Sequence, residues 1–432
     1  RPPISTLLPY TTLFRSGGFG DGAYHPPSEV EGLLADFLAD TFRDPRLKWH
    51  AQEVLRTGEK NTTRWREWFM EDVISTWRAA IPSGVAPEPP RGLDGSRHFP
   101  DIGWVSMHSA LGDAKNDVWA AFKASRYGSY SHSHADQNSF QLYAYGRALA
   151  IDSGYYPSFG TPHDNLWTRQ TKAHNGVLVN GRGQPPFTWE AGGRIESYER
   201  HGTVTLARGQ AAGAYNLPQP AGIATAWLKL LKEPLPAMEP AVQDYQRTLA
   251  FVASPSRPFL IVHDYVKTAA PATFEWLLHA LNQMETDGRT GSVFVRDGDA
   301  RMAVRLISTV PYTFKQHNKF PIPPESANNT AYVLGTPHFP DQWHLSAATS
   351  APVAEMKFLA VLVPYRASEA PPAIDLTIQT REAAGFRVGE TEVSAWWGPG
   401  AQGALRPGDL TGEGRMLLKV RENGKESTVV AQ

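Results

Sequence analysis

Ser139-Phe140-Gln141-Leu142-Tyr143-Ala144-Tyr145-Gly146-Arg147-Ala148-Leu149-Ala150-Ile151-Asp152 decides the fold class. Two short runs rich in residues that suit a pleated surface flank a glycine, which predicts a hairpin turning at Gly146-Arg147. Further runs follow at Gly176 to Val179, Phe259 to Val266, Thr273 to His279, Met302 to Ile307 and Lys357 to Val363. Gly, Pro, Asn and Asp separate them, and helical periodicity is almost absent. The spacing predicts a large antiparallel β-sandwich over residues 96–365. Residues 366–432 continue as strands with Gly-rich turns, either the end of the sandwich or a small further β domain.

Upstream the period changes. Ser28 and Glu31 after Pro27 form a capping box before Leu33, Leu34, Phe37, Leu38 and Phe42. Asp44-Pro45 opens a second helix through Trp49, Val54 and Leu55, and Thr62 or Thr63 a third carrying Trp65, Trp68, Phe69, Val73, Ile74 and Trp77. The Pro-rich stretch from Pro82 to Pro90 ends them as a linker, so residues 17–95 form a helical segment. Leu8-Pro9-Tyr10-Thr11-Thr12-Leu13-Phe14-Arg15-Ser16 reads as translated sequencing adapter, and residues 1–16 are taken as a non-native leader of an N-terminally truncated chain. The expected fold class is α+β.

The chain has 432 residues, 41% hydrophobic and 20% charged, with a formal net charge of -1. A general nucleic-acid binder would be basic. No run of about 18 apolar residues is present to span a membrane as a helix. Cysteine is absent, which excludes disulfides and thiolate metal sites and leaves His, Asp, Glu or carbonyl ligands for any metal. The 13 Trp, 15 Tyr and 19 Phe suit β cores and, in a cleft, sugar stacking.

Chemistry concentrates between Ser131 and His174. His132 and His134 would share a face of an extended chain, and the expected hairpin returns Asp152 toward His134, with a further loop bringing back His174. Two neutral nitrogens and one carboxylate make a suitable shell for Zn²⁺. Between Ala121 and Gln184 the bases Lys123, Arg126, Arg147, Arg169, Lys172 and Arg182 outnumber the acids Asp136, Asp152 and Asp164 by three. That surplus fits an anionic ligand.

The run His132-Ser133-His134-Ala135-Asp136-Gln137-Asn138-Ser139-Phe140, then Ile151-Asp152-Ser153-Gly154-Tyr155-Tyr156 and Arg169-Gln170-Thr171-Lys172-Ala173-His174-Asn175, resembles heparinase II/III-like polysaccharide lyases. It is most similar to the oligo-alginate lyase and exo-heparinase branch, and the resemblance covers most of the chain beyond Phe99. It implies that the helices are the C-terminal remnant of an α/α toroid and that His134, Asp152 and His174 hold a structural zinc. It further implies that His132 is catalytic. A toroid tyrosine and an Asn or His complete the family's site, and residues 17–95 offer no clear match, holding Tyr24, His25 and His50.

The implied activity is β-elimination on uronate-containing glycans, alginate-type and exo-acting, leaving a 4,5-unsaturated product. Heparin-type glycans, a zinc-stabilised glycan-binding sandwich and a zinc hydrolase are the alternatives. Arg169 is expected on a substrate carboxylate, since its planar fork matches one. Trp167, Tyr155 and Tyr156 are expected against sugars, and Gln137, Asn138 and Gln184 against hydroxyls. His263 and His279, set in apolar runs, read as structural. An acidic oligo- or polysaccharide is the expected partner, with a periplasmic or secreted bacterial location.

Overall fold

The computed structural model describes residues 29–57, 76, 84–155, 160–218, 236–324, 340–380, 383–396, 416–422 and 425–431, together with Phe19. The expected leader, the capping box at Ser28 and nearly all of the expected third helix lie outside them.

Helix α1 (Glu29–Phe42) and helix α2 (Pro45–Thr57) pack through Ala35, Ala39, Leu47 and Ala51. Asp44 stops one and starts the other: its Oδ1 accepts the backbone N–H groups of Arg46 and Leu47, each at 3.0 Å, with Pro45 at the first helical position. Lys48 of α2 reaches Asp36 at 2.7 Å and Asp40 at 2.9 Å on α1, fixing the pair.

Strands β1 (Ser96–Phe99), β2 (Trp104–His108), β3 (Val118–Lys123), β4 (Ser139–Ala144) and β5 (Arg147–Ala150) form one antiparallel meander. The β4–β5 turn falls on Tyr145-Gly146, one residue before the expected place, because both carry positive φ (57° and 74°) as a two-residue turn of that hand requires. After β6 (Val177–Val179) come β7 (Arg194–His201), β8 (Val204–Gln210), the short helix α3 (Ala212–Tyr215), β9 (Val242–Val252) and β10 (Phe259–Ala272). Then follow β11 (Phe274–Ala280), β12 (Glu285–Asp287), β13 (Ser292–Asp297), β14 (Ala300–Ser308), β15 (Tyr312–His317), β16 (Trp343–Thr349) and β17 (Val353–Arg366). The last five are β18 (Asp375–Gln379), β19 (Ala383–Val388), β20 (Thr391–Trp396), β21 (Met416–Glu422) and β22 (Lys425–Ala431).

An eight-stranded sheet in the order β12-β13-β14-β17-β10-β9-β8-β7 lies between two cores. Side chains alternate across a strand, so Leu260, Val262, Phe358, Ala360 and Leu362 enter the core shared with β1–β5 and with the sheet β15-β16-β11-β6. Phe259, Ile261, Leu359, Val361 and Val363 enter a second core closed by Phe386, Val393, Met416 and Leu418 of the C-terminal sheet. That double burial is why β10 and β17 read as unbroken apolar runs rather than alternating ones. Each such side chain contributes about 1.5–3 kcal/mol when fully buried, and an acid at Ile261 would break the layer.

Candidate metal centre and active site

The site grows from the approach to β4. Asn138 takes a left-handed backbone (φ 61°), a conformation its short polar side chain tolerates, and its Nδ2 donates to the carbonyls of Gly209 at 3.3 Å and Tyr245 at 3.2 Å. Arg247 locks the two ends of the strip. It forms a bidentate pair with Asp264 at 2.7 and 2.9 Å, while its Nη1 donates to the carbonyls of Asn138 and Asn175. Trp276 Nε1 donates to Asp264 at 3.2 Å, so the buried pair is enclosed on that side too.

Inside this frame Asp136, Asp152 and His174 bring one ligand atom each within 4.8 Å of one another, and all three are buried. His174 Nε2 lies 2.9 Å from the Thr168 carbonyl, which can only accept, so that nitrogen carries the proton. Nδ1 is then turned toward Asp152 Oδ1 at 3.1 Å without hydrogen-bond geometry. Gln141 Nε2 holds the other Asp152 oxygen at 2.8 Å. Asp136 Oδ1 pairs with Lys123 at 2.5 Å, while its Oδ2 is buried with no hydrogen-bond partner.

The group therefore fits a divalent cation, with oriented ligands and outer partners in place. Burial disfavours charge on His174, yet the Asp152 carboxylate more than offsets it and raises the pKa above the ordinary imidazole value. Burial, then the nearby His174, drives the His134 pKa far down, leaving the neutral, ligand-competent form. His134 is not one of the three grouped residues; its ring lies 5.3 Å from that of His174. The geometry thus adds Asp136, which the sequence reading passed over, beside two of the three expected ligands. Its signal was the same two-residue spacing from His134 that had linked His134 to His132.

His132 is exposed whereas His134 is buried, so the two do not share a face. Ser131 has a positive φ of 54° and the Ser133 N–H donates to the Tyr130 carbonyl at 3.0 Å; this turn carries His132 out to solvent. Beside it Tyr130 and Trp189, 48% and 52% exposed, meet edge to face at 5.2 Å between ring centres. Backbone bonds between Ser129 and both Phe187 and Thr188 hold the two loops together. Gly128 permits the approach, since a Cβ there would stand 2.3 Å from the carbonyls of Thr188 and Trp189.

Other expected contacts have different places. Arg169 is fully buried, paired with Asp164 at 3.0 Å and donating to the carbonyls of Ser131 and Ser133, so its guanidinium shapes the His132 turn instead of meeting a substrate carboxylate. Trp167 is buried against His344 and Phe320 and donates to Ser153. Gln137 and Gln184 are buried and bond each other through backbone and side chain at 2.9 and 3.0 Å, and Asn138 is spent on its two carbonyls. These are corrections: Trp167 is enclosed by neighbouring rings, while Arg169, Gln137, Gln184 and Asn138 satisfy buried backbone groups that would otherwise be unpaired. Tyr155 is half-buried, its hydroxyl donating to the Pro340 carbonyl at 2.8 Å. Tyr156 lies outside the described residues. His263 and His279 are buried in β10 and β11; His279 sits not in an apolar setting but against His344, Nδ1 to Nδ1 at 3.2 Å.

Residues 91–377, more than half of the chain, match the heparinase II/III-like C-terminal family. The chain belongs to that family. Its fold is similar to that of a heparinase III gene product (TM-score 0.59, 12% identity, covering 97% of this chain and 50% of that one). It is also similar to the heparan sulfate lyase HepC of Pedobacter heparinus (TM-score 0.58, 14% identity, 96% and 50%) and to a further heparinase III (TM-score 0.57, 14% identity, 97% and 52%). This heparinase II/III-like chain spans about half the length of the solved structures it matches. No curated protein matches it at the level of sequence. At these identities the likeness concerns the fold: an antiparallel sandwich preceded by helices.

Proposed function

We propose that this chain cleaves uronate-containing glycans, alginate-type in the first instance, by β-elimination, with His132 at the reacting centre and a structural zinc beneath it. The observation that carries the reading is the exposed His132, held by the Arg169-braced turn two residues from His134 and the buried Asp136–Asp152–His174 group.

Elimination removes the proton at C5 of the uronate and expels the 4-linked sugar. The proton is acidic enough only when the neighbouring carboxylate is neutralised, and the leaving oxygen must gain a proton. The exposed imidazole of His132 has the chemistry either to accept the C5 proton or, as a donor, to hold the carboxylate. Tyr130 and Trp189 offer ring faces to an adjoining sugar. Zinc bound at Asp152, His174 and the flanking His134 and Asp136 would supply charge that ties the β4–β5 hairpin to the Thr171–His174 loop. Four protein ligands make a closed, structural site. A periplasmic or secreted location belongs to the same proposal, because polymeric acidic glycans do not cross membranes.

The modest surplus of three bases favours lightly charged uronate chains over highly sulfated ones. A heparan-type substrate is the second reading, supported by the names of the solved neighbours. Incubation with alginate, heparan sulfate and chondroitin oligosaccharides, followed by absorbance of the unsaturated uronate at about 235 nm, tests both. Product from alginate that disappears in His132→Ala is expected. Retained glycan binding without any unsaturated product would overturn the lyase reading in favour of a binding sandwich.

A further inference from the structure

On another side of the Thr171–His174 loop lies a cavity of about 180 Å³, which the elimination chemistry does not use. Lys172 and Arg182 line it together with Gln170, Pro185, Pro186 and Tyr215, and no Asp or Glu is in its wall. Lys172 is half-buried, and no described carboxylate pairs with it; its ammonium stands 5.7 Å from the centre of the Trp167 ring. Arg182 spends one Nη2 bond, 2.7 Å long, on the Pro236 carbonyl, and no described carboxylate pairs with it either.

The half-buried Lys172 ammonium loses hydration that an anion entering the cavity would offset, and Arg182 on the same wall offers that anion a second cation. The rest of the wall narrows the class of that anion. Tyr215 has its hydroxyl committed to the Val177 carbonyl at 2.5 Å, so it presents ring rather than donor, and the two prolines add apolar surface. The wall is also fixed: a Cβ at Gly183 would lie 2.3 Å from Thr171 Cβ, and Thr171 Oγ1 is held between the Ala135 carbonyl and the Gln184 N–H. Apolar surface beside two cations and an amide fits a pyranose ring bearing one anionic group better than a bare inorganic ion.

We propose that this cavity is an accessory subsite for an acidic sugar residue, with Lys172 and Arg182 receiving its carboxylate or sulfate. That the sugar belongs to a glycan chain rests on the function proposed above; the case for an anion rests on the two cations that line the cavity.

Saturation-transfer NMR titrations of the whole chain with glucuronate, N-acetylglucosamine 6-sulfate and glucose test it, alongside Lys172→Gln, Lys172→Arg, Arg182→Gln and His132→Ala. Glucuronate or the sulfated sugar is expected to bind and glucose not, and whichever acid binds identifies the group. Each Gln variant should weaken binding about tenfold or more, as loss of a charge-assisted hydrogen bond does, while Lys172→Arg and His132→Ala retain it. Circular dichroism identifies any misfolded variant, and the half-buried Arg182 serves if Lys172→Gln is one. No binding of either acid, equal binding of glucose, or unchanged binding in the Gln variants would overturn the subsite. The elimination assay runs in parallel: unsaturated product with unchanged binding in the variants removes the subsite alone. Charge-dependent binding without product removes the lyase reading and leaves the subsite standing.

Discussion

His174 Nδ1 and Asp152 Oδ1 face each other at 3.1 Å in the protein interior, while the opposite nitrogen of the same ring is committed to the Thr168 carbonyl. Two lone pairs so placed need a proton or a cation between them. The purified chain is therefore expected to carry about one zinc per molecule by elemental analysis. Chelation, or Asp152→Asn, should lower unfolding stability by about 3 kcal/mol, the effect of a ligand present at roughly a hundred times its Kd. Acid should release the metal, because protons compete for His174 Nδ1. An apo chain that unfolds at the same temperature as the loaded one would rule out a structural metal here.

Asp136 and His134 are separable. Asp136 pairs with the buried Lys123, so Asp136→Ala strands a cation and is expected to cost about 3–5 kcal/mol even in the metal-free chain. His134 is neutral by burial, and His134→Ala should reduce zinc content without that added penalty. Urea unfolding of both variants with and without chelator measures the difference. Equal losses in the absence of metal would remove the distinction.

Much of this was legible in sequence because it depends on local period and spacing. Asp44-Pro45 announces its cap, the Gly146 turn is one residue off, and Asp152 and His174 fall in one buried group. What escaped depends on partners distant in sequence. Arg169 reads as a free cation until Asp164, five residues earlier in a wide helical turn, is seen to neutralise it. Gln137 and Gln184 are 47 residues apart and look available until the fold pairs them. His132 and His134 seemed to share a face only while the chain was taken as extended, and the turn at Ser131 removes that premise.

Arg247 gave no signal at all, yet it holds both ends of the metal strip. Its guanidinium is wholly buried with Asp264, so Arg247→Met should cost about 3–5 kcal/mol by leaving that carboxylate unpaired. Because the same side chain binds the carbonyls of Asn138 and Asn175, zinc retention should fall with stability. Replacing Arg247 and Asp264 together by apolar residues should recover part of the stability but not the zinc. Full recovery of both by the double variant would show that the pair does not position the strip.

Stability should also respond to pH through the strand-paired histidines His279 and His344, whose Nδ1 atoms are 3.2 Å apart. Burial first, and then neighbouring histidines, push His344 down to about 2 and His279 down to about 3. An unfolded histidine takes up its proton near pH 6.5, whereas these two stay neutral in the fold far below that. Above about pH 6.5 they contribute no pH dependence. As pH falls beneath it the unfolded chain binds more protons, and stability drops by up to about 1.4 kcal/mol per pH unit for each histidine. Urea unfolding at about pH 7.5, 6.5 and 5.5 should show this fall, and His344→Phe, in its setting of Trp167 and Phe320, should reduce the slope by about one proton's worth. Identical slopes in the two proteins would mean that His344 titrates in the fold as it does in the unfolded chain.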